Sequence, residues 1–282
     1  MTVHHLRPQF TDNIIKTLQQ GTSVNLIAPS GQGRKRLLED IKKMRLENTQ
    51  IFFVNMKNYK ENYQGFLKEC WQQFGKKGEL PTDLGQLMTL LEETNKKFIL
   101  LLYHFDDLLN NARIDPKFDV CFFDQLNSLK DQENLSLLCV TKHPHDQSII
   151  FIHQKIHSHS WLDLEKKRVP KLTYDEILYE LKTRNLSLSQ DELSEIAWFV
   201  HRNNKPYWVL NYFADKLKHR DNEEIELEHR LKKWYRQFKK EDFIWTTREV
   251  LSSKEQLKIS FKLLLNSVFH FIKNSFSTKK PF

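Results

Sequence analysis

Residues 25–41 read NLIAPSGQGRKRLLEDI: an apolar run, two closely spaced glycines, three consecutive cations, then leucine and isoleucine at helical spacing. Each part has a chemical use. Glycine lets a backbone turn left-handed and approach a ligand closely. The first turn of a helix offers unpaired N–H groups and a favourable dipole to an anion. Arg34, Lys35 and Arg36 add positive charge to that helix start. The stretch is therefore a candidate cradle for phosphate, or a basic turn with the same outline.

Other constellations are weaker. His143, His145, His153, His157 and His159 crowd one stretch, but no cysteine accompanies them and only His153 and His157 have i, i+4 spacing, so a polar loop is favoured over a metal site. Cys70, Cys121 and Cys139 are widely spaced in apolar surroundings, which suits structural thiols in a reducing compartment, and the cytoplasm is the expected location. No nucleophile elbow is present. The segment HRLKKWYRQFKK is the best candidate for nucleic-acid contact, with Lys233, Arg236 and Lys240 as its phosphate-binding residues. Trp234 and Phe238 are four apart and expected to face a core, so a solvated basic helix face is the favoured reading.

The elements that must position these groups follow from patterning. The chain has 282 residues, 39% hydrophobic and 28% charged, with only 7 glycines, which fits a helix-rich globular protein large enough for an α/β core and a smaller unit. A net charge of +8 favours an acidic partner, yet cations and acids are interleaved through most of the helical segments. Apolar runs predict strands over 23–28, 49–56, 96–105 and 134–142, separated by helices from about Arg34, over 62–74, over 83–95 behind the capping signal PTD, and over 118–131. A further helix is expected over 10–20. This alternation implies a parallel sheet covered on both faces. Beyond residue 165 the pattern becomes helical, with capping-type starts at Thr173 and Ser189 and a last helix over 253–276. The longest apolar run, FILLLYHF, is too short to span a bilayer, and neither a targeting segment nor a membrane partner is expected.

Taken in order, APSGQGRKRLL, FILLLYHFDDLL, LSLLCVTKHP, LDLEKKRVPKLTYDE and LSQDELSEIAWFVHRNNKPYWVLNYFADKL resemble the successive motifs of the AAA+/STAND P-loop NTPases, in the archaeal-ATPase and origin-recognition-like branch, over roughly residues 5–218. The resemblance implies a P-loop parallel sheet flanked by helices over 1–165, a helical lid over 166–220 and a C-terminal helical extension over 221–282. The family's phosphate loop is G-x-x-x-x-G-K-[ST], whose lysine reaches the outer phosphates and whose hydroxyl binds magnesium. Laid onto it, Ala28 replaces the first glycine, Gly31 and Gly33 remain, Arg34 takes the lysine position and Lys35 the hydroxyl position. Tyr103 and His104 stand where the family has its metal-associated and water-activating carboxylates, although a second register would make Asp106 and Asp107 the acidic pair of a longer strand. Thr141, with Lys142, falls at the position that reads the γ-phosphate, and Pro206 at the lid proline, which also suits a simple helix start.

The implied binding set is Gly31, Gln32, Gly33, Arg34, Lys35, Arg36, Thr141 and Pro206, holding ATP or ADP weakly, with Mg²⁺ not expected. The favoured function is a nucleotide-binding adaptor or regulator with little or no ATP hydrolysis that works through a protein partner, and the resemblance alone suggests a place in a bacterial conflict or antiviral system. Two alternatives stay open: a nucleic-acid-binding regulator of the origin or transposition type, and a slow ATPase completed by neighbours in a homo-oligomer.

Overall fold

The computed structural model describes residues 4–44, 46–75, 78–94, 96–109, 114–129, 132–142, 150–152, 155–157, 164–218 and 226–243. The histidines at 143, 145, 153 and 159, the side chain of His157, and the expected helix over 253–276 lie outside what is described. The chain forms two compact units of interleaved segments, one drawn from 17–27 and 46–167, the other from 1–16, 28–45 and 168–249.

The first unit is built on a five-stranded sheet. Its strands are β1 (Val24–Ile27), β2 (Thr49–Asn55), β3 (Lys97–Tyr103), β4 (Leu135–Thr141) and β7 (Glu165–Arg168), in the order β2-β3-β4-β1-β7. The pairs β2/β3, β3/β4 and β4/β1 are parallel, with Phe52 opposite Leu100, Leu100 opposite Leu137 and Leu26 opposite Val140. Parallel neighbours need crossovers, supplied between β2 and β3 by α3 (Met56–Tyr59), α4 (Tyr63–Phe74) and α5 (Leu84–Glu92) and between β3 and β4 by α6 (Asp106–Leu109) and α7 (Val120–Ser128). Alternate residues of the strands, Phe52, Val54, Phe98, Leu100, Leu135 and Leu137, are buried in one cluster with Phe66, Leu67, Leu87, Phe122 and Phe123 of the helices. β4 is buried at every position, as a strand covered on both faces must be. Asp83 caps α5 through a hydrogen bond from the Gln86 amide, the role the PTD signal predicts.

Two features of this unit differ from the expectation. β7 has the sequence EKKR with an exposed pattern, and no apolar periodicity announces it; it joins the sheet as an edge strand beside β1. A short antiparallel hairpin, β5 (Ile150–Ile152) with β6 (Lys155–His157), precedes it.

The second unit is helical. α8 (Tyr174–Thr183) and α9 (Gln190–His201) both begin with complete capping boxes, Thr173 with Glu176 and Ser189 with Glu192, as the sequence indicates. α10 (Pro206–Lys218) and α11, over 227–243, complete its described helices. Leu6, Ile177, Leu181, Ile196, Val200, Leu210, Phe213 and Leu231 form its core. α2 (Arg34–Lys43) and the segment ahead of α1 (Pro8–Gln19) belong to this unit. No helix among the described residues is long and apolar enough to cross a membrane.

Candidate phosphate-binding loop

β1 leads directly into the glycine loop, and α2 begins at Arg34. Gly31 and Gly33 have φ of 82° and 77°, values that disfavour any residue with a Cβ. Gly33 is the N-cap of α2 and no side chain caps it. This geometry suits an anion at the helix start.

The segment Asn204–Tyr207, at the start of α10, lies directly on the loop. The Tyr207 amide donates to the Gly31 carbonyl at 3.0 Å, and Gln32 Nε2 donates to the Asn204 carbonyl at 2.8 Å. A Cβ added to Gly31 would stand 2.5 Å from Lys205 Cβ, and one on Gly33 would stand 2.8 Å from the Tyr207 ring and 3.0 Å from Leu6. Both glycines are thus required twice, by their backbone angles and by that segment. Pro206 is the buried first residue of α10, a position that needs no N–H donor.

Arg7 completes the clamp. It is fully buried, donating from Nη2 to the Gln32 carbonyl at 2.8 Å and from Nε to the Pro170 carbonyl at 3.1 Å. Burial lowers its guanidinium to about 10, against the raising influence of Glu176, Tyr207 and Asp40, so it stays charged at neutral pH. Its hold on the Gln32 carbonyl fixes the orientation of the peptide linking Gln32 to Gly33.

The three cations of the loop have different surroundings. Arg34, half-buried, opens α2. Lys35 projects into solvent with its side chain 81% exposed and pairs with Glu39 at 3.9 Å. Arg36 turns the other way, to Asp40 at 2.9 Å, Glu180 at 3.6 Å and the His4 carbonyl at 3.1 Å. Burial alone would lower Arg36, but Glu180 and Asp40 outweigh it and hold the guanidinium above its ordinary value. Buried Glu180 also takes His4 Nε2 at 2.7 Å and Arg184 Nη2 at 2.9 Å, and Asp40 accepts the Leu6 amide at 2.8 Å. Arg36 therefore ties α2 to the N-terminal segment and α8.

At the carboxyl end of the sheet, within the other unit, β3 stops at Tyr103. His104 follows with φ 56°, its ring stacked on Tyr103 at 3.7 Å and its Nδ1 3.0 Å from Asn55 Oδ1. Asp106 and Asp107 open α6, beyond the strand, and Asp106 Oδ2 accepts the Lys142 amide at 3.2 Å. Buried Thr141 bonds Asn25 Oδ1 at 3.0 Å across β4 and β1. Among the described residues, no group of three His, Cys, Asp or Glu side chains comes together as a metal site.

The loop thus combines an uncapped helix start with two left-handed glycines, and Lys35 supplies no oxygen for a metal ion. Sequence reasoning missed Arg7, Tyr207 and Glu180. Glu180 lies in a stretch rich in charge and Arg7 is a lone cation ahead of a helix, and only their distant partners distinguish them from surface residues. Lys233, Arg236 and Lys240 are exposed on α11, while Trp234 and Phe238 pack onto the helical core.

No protein-family model and no curated protein matches the sequence. Solved structures do match. A chain of "Drosophila ORC bound to DNA" superposes with a TM-score of 0.51 at 14% identity, over 83% of this chain and 62% of that one. The fold is an α/β fold of the P-loop type, a parallel sheet flanked by helices. A Pyrococcus horikoshii Signal Transduction ATPase with Numerous Domains (STAND) protein with a tetratricopeptide repeat sensor aligns over 84% of this chain and 33% of its own, with a TM-score of 0.44 and 12% identity.

Proposed function

We propose that the chain is a nucleotide-binding adaptor or regulator of the AAA+/STAND type, with little or no ATP hydrolysis, that acts through contact with a protein partner. The observation that most supports this reading is Lys35. Where the metal-dependent loop has its hydroxyl, this chain has a cation that projects into solvent beside Glu39. The sheet end supports it too: in the preferred register of the motif the stacked pair Tyr103 and His104 takes the positions of the carboxylates that serve hydrolytic members.

In this reading the amides of the loop and of the first turn of α2 hold the phosphates of ATP or ADP, with Arg34 adding charge. A bound nucleotide supplies a compact polyanion that the loop and lid can grip together. Tyr207 and Gln32 tie the loop to Asn204–Tyr207, so that occupancy of the loop is felt by α10. That mechanical link is what a partner would read.

Thermal unfolding with ATP, with and without Mg²⁺, tests the proposal together with steady-state phosphate release. The expected result is a stabilisation independent of Mg²⁺, approaching about 2.7 kcal/mol at a hundredfold excess over Kd, and lost in the Arg34→Ala, Lys35→Ala double variant. Phosphate release should stay at background. Turnover abolished by Gly33→Val, or tight binding only with Mg²⁺, would overturn it.

A further inference from the structure

Arg236 sits in the middle of α11 with lysine at all four helical neighbours, Lys232, Lys233, Lys239 and Lys240. These five side chains are exposed and occupy one outward arc together with His229 and Phe243, at 3.6 residues per turn. The helix places its acids elsewhere. Glu228 lies near the N-terminal end, where it pairs with Lys232 at 2.6 Å. Glu241 accepts from the Tyr212 hydroxyl at 3.2 Å, and Asp242 is held by Lys205 at 2.8 Å. Trp234 and Phe238 fix the rotation of the helix by packing into the core. Like charges at i, i+3 and i, i+4 repel, so this arc is unfavourable for the isolated helix.

We propose that the outward face of α11 binds the phosphodiester backbone of a nucleic acid without reading its bases. None of its residues belongs to the glycine loop. A protein partner fits it less well, since lysine is depleted in protein interfaces and the exposed aromatic of the arc, Phe243, stands at its end rather than among the five cations. A bilayer fits it poorly too, because the apolar face of α11 is committed to the core. Phosphates need only closely spaced, mobile cations, and Lys233 to Lys240 spans about 10 Å of helix.

The test is fluorescence anisotropy on the full chain, with labelled single-stranded DNA, duplex DNA and RNA of equal length titrated from 50 mM salt upward. Binding in any arm identifies the preferred strand type. The variant Arg236→Glu, Lys240→Glu should weaken that binding at least tenfold and lower the slope of log K against log salt by roughly 1.4 to 1.8, the range for two contacts. The charge-matched control Lys57→Glu, Lys68→Glu, at exposed positions of the sheet unit, should stay within twofold of the parent. Arg236→Gln alone, which adds no negative charge to the helix, should lower the slope by roughly 0.7 to 0.9 and covers the case in which the reversed variant fails to fold. Equal losses in the two double variants, no binding at 50 mM salt, or polyglutamate binding as tightly as nucleic acid would each overturn the proposal.

Discussion

Lys205 Nζ lies 2.8 Å from both carboxylate oxygens of Asp242, while the Cβ of the same lysine closes over Gly31 so tightly that a methyl group there would stand 2.5 Å away. One side chain thus spans from the glycine loop to the last described helix. Its Nζ also sits 5.1 Å from the centre of the exposed Trp208 ring. The ion pair is largely shielded, with side-chain exposures of 29% and 20%.

Asp242→Asn should therefore weaken the attachment of α11 without disturbing the sheet unit. The expected loss is about 1 kcal/mol, more than a typical surface pair because the contact is bidentate and part-buried. Urea unfolding at low and high salt checks this, with the gap between parent and variant narrowing in salt. An unchanged midpoint would show that the pair holds nothing.

Gly31→Ala and Gly21→Ala separate backbone strain from lid contact. Both glycines are left-handed, with φ of 82° and 85°, but nothing lies within 4 Å of a Cβ at Gly21, whereas Lys205 fills that space at Gly31. Gly21→Ala should cost about 1 kcal/mol from strain alone. Gly31→Ala should cost roughly 1–3 kcal/mol more, since the lid backbone must shift. Equal losses in chemical denaturation would mean that the lid yields without cost.

How far the sequence could be read depends on whether the responsible contacts are local. β1 to β4 are legible as apolar runs, and Thr173, Ser189 and Asp83 announce their helices, because capping and burial act within a few residues. β7 is illegible, since an exposed edge strand of charged residues shows no apolar signal. The left-handed turn at His104 is equally hidden, for nothing in HFDD predicts positive φ at a histidine. The charge network of His4, Arg36, Asp40, Glu180 and Arg184 joins residues up to 176 positions apart, so each member reads in isolation as a solvated helix charge. At the loop, the motif order was visible, but the clamp by Arg7 and Tyr207 was not.

The thiols give a prediction with a pH sign. Burial pushes Cys139 and Cys70 well above the ordinary thiol range, whereas Cys121 is exposed. In the native protein a thiol reagent should label Cys121 alone, with the other two reacting only after unfolding. A group held above its unfolded pKa contributes stability that is present below that value and lost as pH rises. Unfolding midpoints should accordingly fall as pH passes about 9, the unfolded thiol value. Rapid native labelling of Cys139 would contradict the burial on which this rests.

The helical unit is assembled from three stretches of chain, and the longest gap between them runs from residue 45 to residue 168. During synthesis at about 5–20 residues per second, α2 and the segment before α1 emerge from the ribosome on the order of ten seconds ahead of the helices that cover them. Until then Arg7 lacks the Pro170 carbonyl, Arg36 lacks Glu180, and the glycine loop has no cover. In a nascent chain the segments 4–16 and 28–44 therefore stay uncovered until residues from 168 onward arrive, and the helical unit cannot be cut out without the sheet segments that interrupt it.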